Sequence, residues 1–400
     1  MSVEAPALSG LTVLDLSRVM AGPWCTQTLA DLGADVWKVE SPQGGDDTRT
    51  WTQPALGGES TYFMSANRSK RSLAVNLKHP EGQSIVRALA AKADVLIENF
   101  RLGAMERFGL GYDALAVDNP GLIYCSISGY GRTGPRADEA GYDFAIQAES
   151  GLMAITGEPD GAPVKLGVAV ADIATGMNAV QAILAATIAR QRTGRGQFID
   201  LSLLDTAVAL LANIAQGCLA TGRSPGRFGN AHATVVPYQT FRSADGVFVL
   251  AVGNDLQFRT FCATIGRADI AADPRFATND LRVSHRTELA ELLAAVFRTD
   301  TTANWLTRFR VAGVPAGAVR EVLDVLASPE VAVRGMIAEA PDAIHGTLRT
   351  MTSPLHLRGT PPVAPRAPPR LGEHTAEILS SVLGMDDAQV TALRERGAIG

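Results

Sequence analysis

The feature that most constrains the fold is an alternation of short apolar runs with helical segments over the first half of the chain. Five such runs lie at residues 11–17, 35–40, 71–77, 94–100 and 122–128. Their length and branched apolar residues are typical of buried strands. Between them, one helix is predicted to open near Pro23 and end at Gly33, and another to run from Pro80 to about residue 93. Strands separated by helices predict βαβ units and a parallel sheet, with ligands at the carboxyl ends of its strands.

The chain has 400 residues, more than a single hydrophobic core usually serves. Residues 1–222 are predicted to form a large domain that ends in a strand and one long connector helix. Residues 223–330 are predicted to form a smaller α+β domain, with a hairpin turning at the sequence SADG and helices near 256–265, 285–297 and 302–311. Residues 331–400 begin with a Pro-rich link, predicted to be extended and laid over another surface, and end in two short helices.

The overall composition excludes several classes of function. A net charge of -5 argues against a broad nucleic-acid surface. No run reaches the ~18 uninterrupted apolar residues of a membrane helix, and the N-terminus has no basic start, so we expect neither a membrane partner nor a signal peptide. The four cysteines are scattered and no histidine pair has metal-ligand spacing, which predicts reduced thiols, no metal site and a cytoplasmic location.

The sequence GYGRTG at residues 129–134 has the glycine spacing of a dinucleotide-binding turn. That function requires a helix opening on the glycines, and here Pro135 and a polar stretch follow instead. We therefore predict a flexible glycine loop over a strand end.

One aspartate, Asp172, lies between an apolar run and a helix start rich in small residues, in the sequence GVAVADIATGM. A purely structural interpretation of Asp172 is a helix N-cap, since aspartate satisfies the free amides of a first turn. Its functional interpretation is a nucleophile. Both interpretations are compatible, because a helix N-terminus favours an ionised carboxylate, which needs no general base.

Several motifs together resemble the family III (CaiB/BaiF-type) CoA-transferases. They are LSGLTVLDLSRVMAGPWCTQTLADLGADVWKVE, GGDDTR, NRSKRSLAVNLKHPEG, ENFRLGAMERFGLGYDAL, IYCSISGYGRTGP, ADIATGM and TGRGQFIDLSLLD. GDDTRTW, GESTYF, AHATVVPYQTF and GNDLQF are most similar to the succinyl-CoA:glutarate branch. The resemblance implies a large α/β domain with a Rossmann-like sheet, a smaller α+β domain and an interlocked, ring-like homodimer.

The resemblance also implies an activity. CoA passes from an acyl-CoA to a carboxylic acid, with Asp172 as nucleophile and with anhydride and aspartyl-CoA intermediates. CoA is a substrate here, and no permanently bound cofactor is expected. The residues implied in CoA binding are Val19, Ala21, Lys78, Asn99, Phe100 and Arg107. Taken singly, Lys78 and Arg107 would be interpreted as solvated surface charges.

Tyr142 in the sequence GYD stands where the racemase branch of the family has a histidine acid/base. Tyrosine, with a pKa of about 10, is a poor base at neutral pH. This favours CoA transfer over the alternative of an α-methylacyl-CoA racemase, and Tyr142 is predicted either to contact substrate or to be a packed aromatic residue. A third alternative, a CoA-binding protein without turnover, is disfavoured by the intact ADIATGM motif.

A dicarboxylate acceptor such as glutarate needs a cation or several hydrogen-bond donors for its second carboxylate. We predict Arg49, with Trp51 beside it, or Arg18 for this role; the alternative for Arg49 is a structural ion pair with Asp46 or Asp47. From the small domain, the predicted substrate contacts are His232, Tyr238 and the backbone at Gly253 and Asn254.

Overall fold

The structure, a computed structural model, describes residues 5–400. Residues 1–4 lie outside the described part, and they belong to the N-terminal stretch from which no signal peptide is expected. The chain divides into two compact units. The large unit comprises the described residues up to Leu152, Lys165–Ala220 and Pro329–Gly400, and the small unit comprises Met153–Val164 and Thr221–Ser328.

The centre of the large unit is a six-stranded parallel sheet. Its strands are β1 (Thr12–Asp15), β2 (Asp35–Glu40), β3 (Arg71–Ala74), β4 (Val95–Glu98), β5 (Ile123–Ser128) and β6 (Phe198–Ser202). Their order in the sheet is β3-β2-β1-β4-β5-β6, and every neighbouring pair is parallel. The predicted parallel α/β sheet is therefore confirmed.

Helices of the large unit cover both faces of this sheet. They are α1 (Ala21–Asp31), α2 (Thr61–Asn67), α3 (Pro80–Ala90), α4 (Ala104–Arg107), α5 (Tyr112–Asp118), α6 (Asp143–Glu149), α7 (Val170–Thr193), α8 (Leu203–Ala209) and α9 (Ala212–Thr221). Val13 packs into the core on the α1 and α7 side, whereas its neighbour Leu14 packs into the core on the α3 side. Successive side chains of a strand point to opposite faces, so a strand buried on both faces is apolar throughout.

The prediction of one long connector helix is wrong. The segment forms α8 and α9, which are bent by 75° relative to each other. Ala212 begins α9 with a positive φ of 42°. The local sequence has neither Gly nor Pro at the bend, so periodicity alone predicts a continuous helix.

The small unit has an antiparallel three-stranded sheet in the order β9-β8-β7 and a core rich in phenylalanine. Its strands are β7 (Tyr238–Arg242), β8 (Val247–Ala251) and β9 (Ala316–Ala318). Its helices are α10 (Asp255–Thr264), α11 (Ala268–Ala272), α12 (Asn279–Ser284), α13 (Arg286–Phe297), α14 (Thr302–Ala312) and α15 (Val322–Leu326). The predicted hairpin and the three predicted helices are present.

Residues 153–164 differ from the predicted division, because they group with the small unit. Arg227 explains the grouping: its guanidinium donates to the carbonyls of Glu158 and Gly161. The amide of Gly229 also donates to the carbonyl of Gly157 at 2.9 Å.

The C-terminal part consists of α16 (Pro329–Val333), a hairpin of β10 (Ile337–Asp342) and β11 (Gly346–Met351), then α17 (Thr375–Leu383) and α18 (Asp387–Glu395). The hairpin was not predicted. The Pro-rich link is irregular and lies on the large unit, where the amide of Val363 donates to the carbonyl of Asp31. Ile378 and Leu379 of α17 are fully buried in the core of the large unit.

Candidate active site

Asp172 is the third residue of α7, in its first turn, and it does not cap the helix. No residue in the described range 5–400 hydrogen-bonds its carboxylate. Asp143, at the start of α6, takes the capping role instead: one oxygen accepts from the Ala171 amide at 2.8 Å and the other from the Gln147 side chain at 2.7 Å. The N-cap interpretation of Asp172 is therefore wrong, because a residue distant in sequence caps α7.

The electrostatics of Asp172 also differ from the prediction that the helix keeps it ionised. Burial raises the pKa of Asp172 from its usual 3.8 to about 7, and the adjacent Asp143 carboxylate adds to the rise. This difference corresponds to about 4 kcal/mol, whereas a helix N-terminus usually favours an anion by only about 0.3–1 kcal/mol. Burial and like charge therefore outweigh the helix dipole.

Gly176 explains the small residues that follow Asp172. A Cβ atom at this position would lie 2.6 Å from the carbonyl oxygen of Ala21 in α1. Only glycine permits so close an approach of the two backbones. The contact brings the start of α1 next to the start of α7, where Asp172 lies.

Two cavities of the large unit meet at Asp172, with volumes of 360 Å³ and 580 Å³. Val19, Met20, Tyr142 and Asp172 line both of them. The carboxylate of Asp172 is therefore accessible from either cavity.

The first cavity brings together many of the residues predicted for CoA binding. Those that line it are Val19, Ala21, Asn99 and Phe100, together with Arg18. Lys78 and Arg107 do not line it and are exposed at the surface of the large unit. Arg101 and Arg132, which the sequence reasoning missed, also line it, and the guanidinium of Arg132 pairs with the buried Glu98 carboxylate at 2.8 Å. Arg101 directly follows the ENF motif, which was the available indication.

The glycine motif also lies at the first cavity. Ser128 and Gly129 line it, and no helix opens on the glycines, as predicted. A Cβ atom on Gly129 would lie 2.5 Å from the Cα atom of Gly141, so these two loops touch through their backbones.

Buried charges fix the loop after β1 that lines both cavities. Val19 has a φ of 70°, which is unusual for a β-branched residue. Its amide donates to the carboxylate of Asp46 at 3.2 Å, and Lys38 bridges that carboxylate and the carbonyl of Ser17. Lys38 and Asp46 have fully buried side chains. The buried ion pair of Lys38 and Asp46 therefore stabilises the strained loop.

Asn99 binds the backbone of the same loop at Arg18. Its amide group accepts from the backbone N–H of Arg18 at 2.9 Å and donates to the backbone carbonyl of Arg18 at 2.8 Å. The Arg18 guanidinium pairs with Asp47 at 3.2 Å and lies 5.4 Å from the ring of Phe100.

The second cavity is lined mostly by apolar and aromatic groups. Its aromatic residues are Trp24, Trp51, Tyr62, Tyr142 and Phe144. Of these, Trp51 and Tyr142 were predicted. Tyr142 is 67% exposed, so it is not a packed core residue. Burial raises the pKa of Tyr62 to about 12, and the charges of Asp172 and Asp143 add to the rise.

Arg49 does not line either cavity at Asp172. Its guanidinium makes two hydrogen bonds of 2.7 Å to the carboxylate of Glu40, a third to the carbonyl of Pro369, and covers the ring of Phe63. The prediction that it faces the acceptor near Asp172 is not supported by this placement. The alternative of a structural ion pair describes it, but with Glu40 rather than Asp46 or Asp47.

The four residues predicted from the small domain lie within the small unit. The rings of His232 and Tyr238 are 5.2 Å apart. The Gly253 amide donates to the Gln257 side chain at 2.8 Å, and Asn254 caps α10. The Gly253 amide, predicted as a substrate contact, is therefore already used within its own unit.

The fold is α/β, and its candidate site has a partly buried carboxylate, Asp172, between two cavities. Residues 8–375 match CoA-transferase family III, and the chain belongs to this family. It is 47% identical to the succinate–glutarate CoA-transferase of Agrobacterium fabrum (strain C58 / ATCC 33970), covering 94% of this chain and 96% of that protein. It is 43% identical to the human succinyl-CoA:glutarate CoA-transferase, covering 98% and 90%.

A crystal structure of a CaiB/BaiF family protein from Brucella suis matches this fold with a TM-score of 0.85 and 45% identity, covering 95% of this chain and 100% of that one. The resemblance inferred from the motifs is therefore confirmed. The protein is an acyl-CoA:carboxylate CoA-transferase, and the racemase alternative is not favoured.

Proposed function

We propose that this enzyme transfers CoA from succinyl-CoA or a similar acyl-CoA to a small dicarboxylic acid such as glutarate, with Asp172 as the nucleophile. The observation that carries the proposal is a single carboxylate, without a hydrogen-bond partner in residues 5–400, at the junction of two cavities. The relatives named for glutarate transfer support the choice of substrates.

In the first half of the reaction, the Asp172 carboxylate attacks the thioester carbonyl. The carbon–sulfur bond breaks, CoA leaves as a thiolate, and an anhydride joins Asp172 to the donor acyl group. The thiolate then attacks the Asp172 carbonyl, which releases the donor acid and leaves an aspartyl-CoA thioester. No general base is needed, because the attacking groups are anions.

In the second half, the carboxylate of the acceptor attacks the aspartyl thioester and expels the CoA thiolate. A second anhydride now joins Asp172 to the acceptor. The thiolate attacks the acceptor carbonyl, the new acyl-CoA leaves, and the Asp172 carboxylate is restored. In each half-reaction the CoA sulfur moves between Asp172 and an acyl group. A position between two cavities therefore suits both half-reactions.

We assign CoA to the first cavity and the acid to the second. Val19, Ala21, Asn99 and Phe100 would contact the CoA, and Arg101, which makes no ion pair within residues 5–400, suits its phosphates, since guanidinium groups bind phosphate through paired hydrogen bonds. The exposed Lys78 and Arg107 are proposed to contact the outer part of CoA. The roles of His232, Tyr238, Gly253 and Asn254 toward substrate remain proposals.

We also propose a homodimer of interlocked chains. In support, the helices near the end of the first half expose large apolar side chains. Met177 and Ile188 of α7 are 53% and 59% exposed, and Leu219 of α9 is 82% exposed. By length and hydropathy, α7 could cross a membrane, as could the bent pair of α8 and α9. One face of α7 packs on α1 in the core, and apolar residues on its other face suit a second copy of the chain.

The test of the proposed chemistry is the Asp172→Ala variant. It should lose transfer activity and still bind CoA, measured by calorimetry. Wild-type enzyme incubated with acyl-CoA and hydroxylamine should carry a hydroxamate at Asp172, detected by peptide mass spectrometry. Turnover by the alanine variant above about a tenth of the wild-type rate would place the nucleophile elsewhere.

A further inference from the structure

If the acceptor is a dicarboxylate, as proposed above, its second carboxylate must be bound while the first reacts with Asp172. Neither arginine predicted for this role is suitably placed. Arg49 is occupied by Glu40 outside both cavities, and Arg18 lines the first cavity in an ion pair with Asp47.

The second cavity contains a different cation. Of the described residues that line it, Lys165 is the only one with a basic side chain. It makes no ion pair with any residue in the range 5–400, and its ammonium group donates only to the carbonyl of the adjacent Leu166, at 3.2 Å. Its charge is therefore not neutralised by the protein.

The segment that carries Lys165 is tied to the catalytic carboxylate. The buried Gln147 side chain accepts from the Leu166 amide at 2.9 Å and donates to Asp143 at 2.7 Å. Asp143 in turn accepts from the Ala171 amide, one residue before Asp172. The backbone next to Lys165 is therefore linked through Gln147 and Asp143 to the backbone next to Asp172.

The wall of the second cavity also contains apolar residues. Val168, Ala169 and Ile173 line this cavity together with Lys165 and Asp172. A wall that combines one cation, apolar residues and the carboxylate of Asp172 suits a molecule with two carboxylates joined by a short methylene chain.

We infer that Lys165 binds the distal carboxylate of the acceptor and thereby makes the enzyme selective for dicarboxylates over monocarboxylates. The inference rests on the proposed function, and it assigns the selectivity to one residue. Since Lys165 is exposed, we expect the contact to contribute about tenfold, the lower end of the range for hydrogen bonds to charged groups.

The experiment compares glutarate, its monoamide and butyrate as acceptors at saturating succinyl-CoA. In a reaction with a covalent enzyme intermediate, kcat/KM for the acceptor reports only the half-reaction that begins from the aspartyl-CoA enzyme. An effect of Lys165 on the donor therefore does not enter the comparison. The variants are Lys165→Met and Lys165→Arg, with Lys92→Met as the matched control at an exposed lysine outside both cavities.

We expect Lys165→Met to lose about tenfold in kcat/KM for glutarate and to be unchanged with the monoamide and butyrate. Lys165→Arg and Lys92→Met should keep the wild-type ratios. If Lys165→Met retains the preference for glutarate over butyrate, the assignment of Lys165 is overturned and the proposed substrate class stands. If the wild type itself uses butyrate as well as glutarate, the proposed substrate class fails, and the role of Lys165 fails with it.

Discussion

Replacing Asp172 with asparagine should stabilise the protein while it abolishes transfer. The carboxylate makes no hydrogen bond within residues 5–400, so the neutral amide loses no contact there. The folded state raises the pKa of Asp172 from 3.8 to about 7 and therefore disfavours its charge. Ionisation of Asp172 lowers the free energy of unfolding by about 4 kcal/mol. The neutral amide of asparagine avoids this loss.

The sign of the pH dependence follows from proton binding. Between pH 3.8 and about 7 the folded state binds more protons at Asp172 than the unfolded state, so this residue lowers the stability of the wild type as the pH rises. The asparagine variant lacks this dependence. Its advantage in unfolding free energy should grow from about 2 kcal/mol at pH 5 to about 4 kcal/mol at pH 8.

The measurement is urea unfolding followed by circular dichroism at pH 5 and pH 8, with wild type and variant at equal concentration. Asp387→Asn is the control, because Asp387 also lies in the first turn of a helix, α18, but is exposed. It should change stability by less than about 1 kcal/mol at both pH values. Equal stabilisation by Asp172→Asn at both pH values, or a loss at pH 8, would refute the reasoning.

Three further predictions concern the site and the assembly. Arg49→Met should lower the unfolding free energy by about 3 kcal/mol, because it removes the ion-pair partner of the buried Glu40 carboxylate, and should keep the acceptor preference; urea unfolding and acceptor assays check this. Asp143→Asn removes the like charge beside Asp172, so the rise of kcat/KM with pH should move to lower pH; an unchanged profile would contradict it. The interlocked dimer should resist dilution in sedimentation experiments, because its dissociation requires unfolding; a folded monomer at micromolar concentration contradicts the assembly.

The sequence by itself determined the parallel sheet, because strands buried on both faces are written as continuous apolar runs between helical segments. It also determined the hairpin and three helices of the small unit, since turn residues and amphipathic spacing are local properties. Asp172 was identified by its motif, and the membership of the family has confirmed that resemblance.

Only the tertiary structure decided which charged residues of the site contact one another. Asp143, 29 residues before Asp172, caps α7 and adds to the rise in the pKa of Asp172. Glu40 on β2 binds Arg49 outside both cavities at Asp172. Lys165 has no motif that marks it, and becomes a candidate only because folding places it on the wall of a cavity. The pairing of charges depends on which distant residues meet, and local sequence patterns do not encode that distance.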